Sequence, residues 1–272
     1  MALIENTLFG DRDKVNIAIE RLRQFETPEG YWVADSGGKD SEVIVDLVLR
    51  SGVKAEYHHN LTTVDAPETI HHIRKYHPQT VIDRPDIPLV DFMISTPSYG
   101  LPSQKCRWCC AKYKERGGKG RFVVTGTRSL ESANRSGRRM IDTCTKDTTK
   151  RYLNVIVDWS DVDVWEYISK RNLNVNPVYS MGYSRCGCVL CPMARWEDRM
   201  KHIADWPKLV DRWRNGAKSV HKYKADRMLS GGQLSFDLFW SKWIHWNAPG
   251  KQPPPDDNQI TMFGEYEDSR AG

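Results

Sequence analysis

The chain has 272 residues, 39% of them apolar, which is enough for one α/β domain of ordinary size with a smaller appendage. No run approaches the roughly 18 apolar residues of a membrane span and no basic-then-apolar leader opens the sequence, so a chain without membrane contact, in the cytoplasm, is expected. The formal net charge of +5, from 40 basic and 35 acidic residues, allows a polyanionic partner without demanding one.

In chain order, Val15, Ala18, Ile19, Leu22 and Phe25 fall on one helical face and predict an amphipathic helix that ends near Thr27-Pro28-Glu29-Gly30. A β-prone stretch, Tyr31 to Val33, then runs into Ser36-Gly37-Gly38-Lys39-Asp40-Ser41 and on into a helical pattern carried by Val43, Ile44, Leu47 and Val48. In a strand, glycine turn and helix of this kind the glycines let backbone N–H groups close around an anion. The helix N-terminus adds unpaired donors, and Ser36, Ser41 and Lys39 add hydroxyls and a charge. Short strands follow over Ala55 to Leu61 and Thr80 to Ile82, with His71 to Tyr76 in a helix between them. Beyond a proline-, serine- and glycine-rich loop from Pro97 to Lys105, Arg121 to Thr125 reads as a strand opening onto Gly126-Thr127-Arg128. Tyr152 to Val157 reads as another, ahead of a helix from Val162 to Ile168. This alternation predicts a parallel sheet with helices on both faces. From Trp196 the character turns to aromatic and basic helices, and then to a polar tail. The expected organisation is therefore a main domain over 1–195, a helical extension over 196–250 and a flexible tail over 251–272.

Seven cysteines, at 106, 109, 110, 144, 186, 188 and 191, fall largely into two tight groups. In a reducing cytosol clustered thiols point to a metal site, and spacing alone suits zinc or a [4Fe–4S] cluster equally. Between Trp196 and Trp246, tryptophans alternate with lysines and arginines. Helix packing accounts for the tryptophans, and nucleic-acid contact for some of the basic side chains.

The run from Ser36 to Ser41 is not a Walker-type loop, since Gly-x-x-x-x-Gly-Lys-Ser/Thr is absent. It resembles the PP-loop of ATP pyrophosphatases, which split ATP between the α and β phosphates and adenylylate a substrate. Cys109-Cys110 with Cys188-x-x-Cys191 resembles the [4Fe–4S] ligand pattern of adenylylsulfate reductases. Three more stretches resemble segments of the wider phosphoadenylylsulfate reductase-like superfamily: Gly126-Thr-Arg128-x-x-Glu131-Ser132-x-x-Arg135, Asp158-Trp159 through Trp165, and Asn176-Pro177-Val-Tyr179. The resemblance implies an adenine nucleotide α-hydrolase-like α/β fold. True reductases carry a C-terminal Glu-Cys-Gly-x-His segment whose thiolate attacks sulfur, and here no cysteine follows Cys191. The nearer resemblance is therefore to the iron–sulfur PP-loop subunit of DNA phosphorothioation systems. In those, ATP activates a nucleic-acid oxygen that sulfur then replaces, with sulfur supplied by a protein such as a cysteine desulfurase. Sulfonucleotide reduction with an external thiol, tRNA thiolation and a nucleotide-binding module without turnover stay open as alternatives.

The resemblance assigns Ser36, Gly37, Gly38, Lys39, Asp40, Ser41, Gly126, Arg128 and Arg135 to nucleotide binding, with Lys39 and Ser36 on the pyrophosphate. Asp40 either positions Mg²⁺ or caps the following helix. Arg128 and Arg135 read as anion clamps or as ion-pair partners of Glu131. Cys109, Cys110, Cys188 and Cys191 are the preferred cluster ligands, one of which Cys106 or Cys186 could replace, and Cys144 stands apart as either a sulfur-relay thiol or a plain buried or surface cysteine. Trp108 either shields the cluster or fills core, and His58, His59, His71 and His72 form no metal-binding spacing. In the tail, Gln259-Ile-Thr-Met-Phe263 is similar to the short peptides that dock on bacterial sliding clamps, or else folds back onto the protein itself.

Overall fold

The computed structural model describes residues 3–8, 10–132, 135–144 and 147–249, so the Gln259 to Phe263 segment lies outside the described residues. The chain divides into two compact units between which it passes repeatedly. Among the described residues, one holds those of 3–60, 67–83 and 116–186; the other holds 61–66, 84–115 and 187–249.

In the first unit a small antiparallel hairpin, β1 (Ile4–Thr7) and β2 (Gly10–Asp13), leads into α1 (Lys14–Gln24). Asp13 caps this helix by accepting the N–H groups of Val15 and Asn16, while Ala18, Ile19 and Leu22 bury its apolar face as the sequence predicts. The main sheet has six strands: β3 (Tyr31–Ala34), β4 (Ala55–Asn60), β5 (Thr80–Asp83), β6 (Phe122–Thr125), β7 (Ile141–Thr143) and β8 (Arg151–Asn154). They lie in the order β5-β4-β3-β6-β8-β7, and every neighbour pair is parallel except β7 with β8. The helices α2 (Lys39–Ser51), α3 (Pro67–Tyr76) and α5 (Asp161–Arg171) belong to the same unit. The sheet is thus mostly parallel with flanking helices. The expected strand Tyr152 to Val157 stops at Asn154, where the chain turns and buries Val155 and Ile156 in the core instead of extending the ladder. The antiparallel edge strand β7 and the N-terminal hairpin carry almost no hydrophobic alternation and were not legible in advance.

Chain connectivity from β3 runs outward to β4 and β5 on one side, then returns to β6 on the other. The order therefore reverses at β3, and a doubly wound sheet binds ligands in the crevice at such a switch point, beyond the carboxyl ends of the strands. The two segments that leave those ends are Ser36 to Ser41, after β3, and Gly126 to Arg128, after β6.

The second unit packs α4 (Leu89–Ser95), α6 (Trp196–Asp205), α7 (Pro207–Asp226) and α8 (Phe236–Ile244). A side chain at Gly216 would place its Cβ 2.1 Å from Met93 Cε, so glycine is what lets α7 approach α4. Trp213 and Trp243 are buried with ring centroids 5.4 Å apart, and the buried Arg199 stacks over Trp243 while donating to its carbonyl at 2.7 Å. These tryptophans are core, as the sequence expects. Basic side chains around them are drawn into ion pairs, Arg212 with Asp91, Arg214 with Asp237, Lys201 with Asp205 and Lys222 with Asp226. Among the described residues no helix is long and apolar enough to cross a membrane.

Candidate nucleotide site and cysteine cluster

Asp35, at the end of β3 and 2% exposed, accepts the Gly37 N–H at 2.9 Å, and the buried Asn176 donates to the Gly37 carbonyl at 2.8 Å. Gly37 has φ +67°, and a Cβ there would lie 2.9 Å from Thr69 Cγ2, so both conformation and space require glycine. Gly38 is the N-cap of α2. Ser41 Oγ accepts its N–H at 2.9 Å and returns a hydrogen bond to its carbonyl at 2.8 Å, with Ser36 Oγ 3.2 Å from that hydroxyl. Helix capping therefore falls to Gly38 and Ser41, and Asp40, one residue inside the first turn, does not supply it. The Lys39 N–H donates to the Tyr179 hydroxyl at 2.9 Å, which puts a neutral phenol oxygen at the positive end of the helix.

Charge around the loop is balanced internally. Arg128, 2% exposed, donates from Nε to Asp40 at 2.6 Å and from Nη2 to Asp161 at 3.0 Å, and Lys39 Nζ meets the same Asp161 oxygen at 2.9 Å. Desolvation pushes the Asp161 carboxyl up, but the hydrogen bonds and charges of Lys39 and Arg128 outweigh it and hold its pKa below the ordinary carboxylate value. Two cations thus converge on one half-exposed carboxylate, an arrangement that an incoming phosphate could take over by ion exchange. A Cβ on Gly126 would lie 2.9 Å from Asp40 Cβ, so the segment after β6 runs directly against α2. Arg135 pairs with Glu131, at the end of the short turn after Arg128, and also feels the charge of Asp40. Cys144 lies at the end of β7, its N–H donating to the Lys150 carbonyl.

Beneath the loop runs a buried network that the sequence reading missed. His77 Nδ1 is 2.6 Å from Asp35 Oδ2 and its Nε2 is 2.9 Å from Glu42 Oε2, while Glu42 Oε1 is 2.5 Å from His72 Nε2 and Thr80 donates to Asp35 at 2.9 Å. Burial lowers the pKa of His77, but the two carboxylates override it and push it up to about 10; burial likewise raises Asp35, and His77 and the Gly37 N–H more than offset it and hold it low. His77 is therefore an imidazolium clamped between two carboxylates. Glu42, His72 and His77 form the only set of three or more ligating side chains, among the described residues, whose donor atoms lie within 4.8 Å of one another. Proton sharing fits this set better than a metal. His72 Nδ1 is buried without a partner, and metal at Nε2 would force an unsatisfied N–H there. His58 instead stacks on Trp32, ring centroids 3.4 Å apart.

Cys109, Cys110, Cys188 and Cys191 all belong to the second unit. Cys110 opens a π-helical turn, Cys110–Lys114, and Cys188 bridges to Asp65 with its sulfur 3.4 Å from the Thr62 hydroxyl. Donation from Cys109, and from Arg107 at 3.5 Å, pulls Cys110 down to about 5, while Cys109 is pushed up, first by that same hydrogen bond and then by desolvation. Lys114 faces the charges of Cys188, Asp65, Cys191 and Cys110, which raise its pKa. Cys186 belongs to the first unit, where Asn176 donates to its sulfur at 3.0 Å and Thr69 Oγ1 lies 3.2 Å away. Trp108 is buried against Phe92 and Tyr99.

Residues 30–194 match the phosphoadenosine phosphosulfate reductase domain family. The chain belongs to this family. It is 27% identical over 226 residues to an uncharacterized protein of Methanocaldococcus jannaschii, covering 78% of this chain and 45% of that protein. It is 24% identical over 197 residues to the adenosine 5'-phosphosulfate reductase of Anoxybacillus flavithermus, covering 65% of this chain and 78% of the relative. The fold is similar to that of the crystal structure of phosphoadenylyl-sulfate reductase from Candida auris in its phosphate complex, with a TM-score of 0.51 at 20% identity, over 63% of this chain and 87% of that one. The chain spans about half the length of the archaeal relatives it matches over most of its own length.

Proposed function

We propose that this family member is an ATP pyrophosphatase and adenylyltransferase that activates a nucleic-acid oxygen for replacement by sulfur, with DNA phosphorothioate modification as its setting. The observation that carries the reading is the convergence of Lys39 and Arg128 on Asp161 beside the glycine turn, at the switch point of the sheet. In this reaction an acceptor oxygen attacks the α phosphorus, the α–β bond breaks, and pyrophosphate leaves with its charge. The N–H groups of Gly38 and Lys39, now held by Ser41 and Tyr179, and the ammonium of Lys39 are the donors that charge would recruit. Asp40 and Asp161, once exchanged off the cations, are the carboxylates on hand for Mg²⁺.

Cys109, Cys110, Cys188 and Cys191, which share the second unit, are the thiolates that would hold an iron–sulfur cluster in this reading. Arg107 and Lys114 supply positive charge toward an anionic, thiolate-ligated centre. When bound, such a cluster would supply electron transfer or a sulfide-binding site. Anaerobically prepared protein is expected to be brown and to contain about four iron and four sulfide per chain, and Cys110→Ser or Cys191→Ser to lose both. Colourless protein with one zinc would overturn the cluster and keep the four thiolates.

Sulfonucleotide reduction with an external thiol is the second reading, favoured by the named reductases among the relatives. One product assay separates the two. Release of pyrophosphate from ATP, dependent on Mg²⁺ and stimulated by DNA, supports the proposal; release of sulfite from phosphoadenylylsulfate or adenylylsulfate, with no pyrophosphate from ATP, replaces it.

A further inference from the structure

Ten tryptophans occur in the chain, and Trp165 alone is exposed, at 37%. It stands on α5 one turn from Asp161, the residue on which Lys39 and Arg128 converge. Lys39 Nζ lies 5.9 Å from the centroid of its ring, and Tyr179, whose hydroxyl takes the Lys39 N–H, meets the ring edge-on at 5.6 Å and 84°. Inward packing of α5 does not account for this side chain. The helix buries Val164, Tyr167 and Ile168 toward the core, while Val162, 65% exposed, shares the outer face with Trp165. Leu130, two residues after Arg128, is 70% exposed. Exposed apolar side chains therefore follow closely in sequence on both Arg128 and Asp161, and Trp165 among them lies near Lys39. An isolated exposed Leu or Val means little. An exposed tryptophan beside an anion site, with its ring near a lysine, is the pairing of π-face and positive charge that holds a base together with its phosphate.

We propose that Trp165 is the stacking platform for a nucleobase whose phosphate is held by Lys39 and Arg128. The inference rests on the phosphate reading of the loop and adds to it the group that recognises the rest of the nucleotide. The base comes from ATP itself or from the nucleic acid to be modified, and both sources offer the same aromatic face. Tyr179, packed against the indole at 84°, buttresses it beside the loop.

The test compares ligands that differ only in the base. The full chain is titrated with ATP and with inorganic tripolyphosphate, and in parallel with a short single-stranded oligonucleotide and its abasic counterpart. Trp165→Ala is expected to weaken one base-bearing ligand by about tenfold or more and to leave its base-free partner unchanged; Trp165→Phe recovers most of that loss. Val162→Asp, at a side chain that contributes nothing to the core, is expected to weaken the same ligand. Loss confined to ATP assigns the platform to adenine, and loss confined to the oligonucleotide assigns it to the acceptor strand. Unchanged affinity for both base-bearing ligands, or equal losses with and without the base, overturns the proposal. Failure of the loop reads out separately, as wild-type protein that does not bind tripolyphosphate or as Lys39→Ala protein that binds it undiminished.

Discussion

Replacing Lys39 with alanine is expected to lower pyrophosphate release from ATP by about 10²- to 10³-fold, the usual cost of removing one preorganised donor from a site of developing charge. Stability should change by less than about 1 kcal/mol. The side chain, 11% exposed, makes one ion pair, with an Asp161 side chain that is 57% exposed and that Arg128 also holds, so no charge is left buried alone. Measuring pyrophosphate per ATP alongside the thermal midpoint separates the two effects. Turnover within tenfold of wild type would remove Lys39 from the chemistry, and a collapse in the midpoint would make the loss of activity structural.

Replacing His77 with alanine is expected to destabilise the first unit by about 3–5 kcal/mol, because it leaves the Asp35 and Glu42 carboxylates buried without the cation between them. The same pair predicts a pH dependence. His77 has its pKa raised from 6.5 to about 10 in the fold, so its contribution is complete below the unfolded value and drains away as pH rises toward 10. Asp35 works in the opposite sense. Its pKa is depressed, and its contribution is lost only as pH falls below the ordinary carboxylate range. Urea unfolding between pH 6.5 and 10 should show the wild type losing stability while His77→Gln stays nearly flat. A flat wild-type profile would mean that His77 is not charged in the fold. The network also connects to function, since Asp35 holds the Gly37 N–H, and loosening it should reduce nucleotide affinity as well as stability.

The sheet, its flanking helices and the glycine turn were legible in the sequence because each is a local pattern. Val43, Ile44, Leu47 and Val48 repeat at helical spacing, Tyr31 to Val33 is β-prone, and only Gly37 could take φ +67° without strain. That Arg128 and Lys39 bring positive charge to the turn was legible because their residue type and their place in a motif carry that meaning.

What they bond was not legible. Asp161 sits 122 positions from Lys39 and 33 from Arg128, and a helix's first carboxylate looks the same in sequence whether it stabilises a dipole or bridges two cations. His77, Glu42 and Asp35 come from a loop, a helix and a strand end, with no periodicity to link them. Burial makes their charges matter, and burial is a property of the packed chain. The cysteines divide in the same way. Sequence by itself shows two tight groups of thiols, whereas folding decided that residues 109, 110, 188 and 191 share one unit and that Cys186 belongs to the other, hydrogen-bonded to Asn176. Local pattern determined the elements and the chemistry available to them; tertiary structure decided which charges meet, because electrostatic pairing depends on distance and desolvation, and neither is written in the spacing of residues.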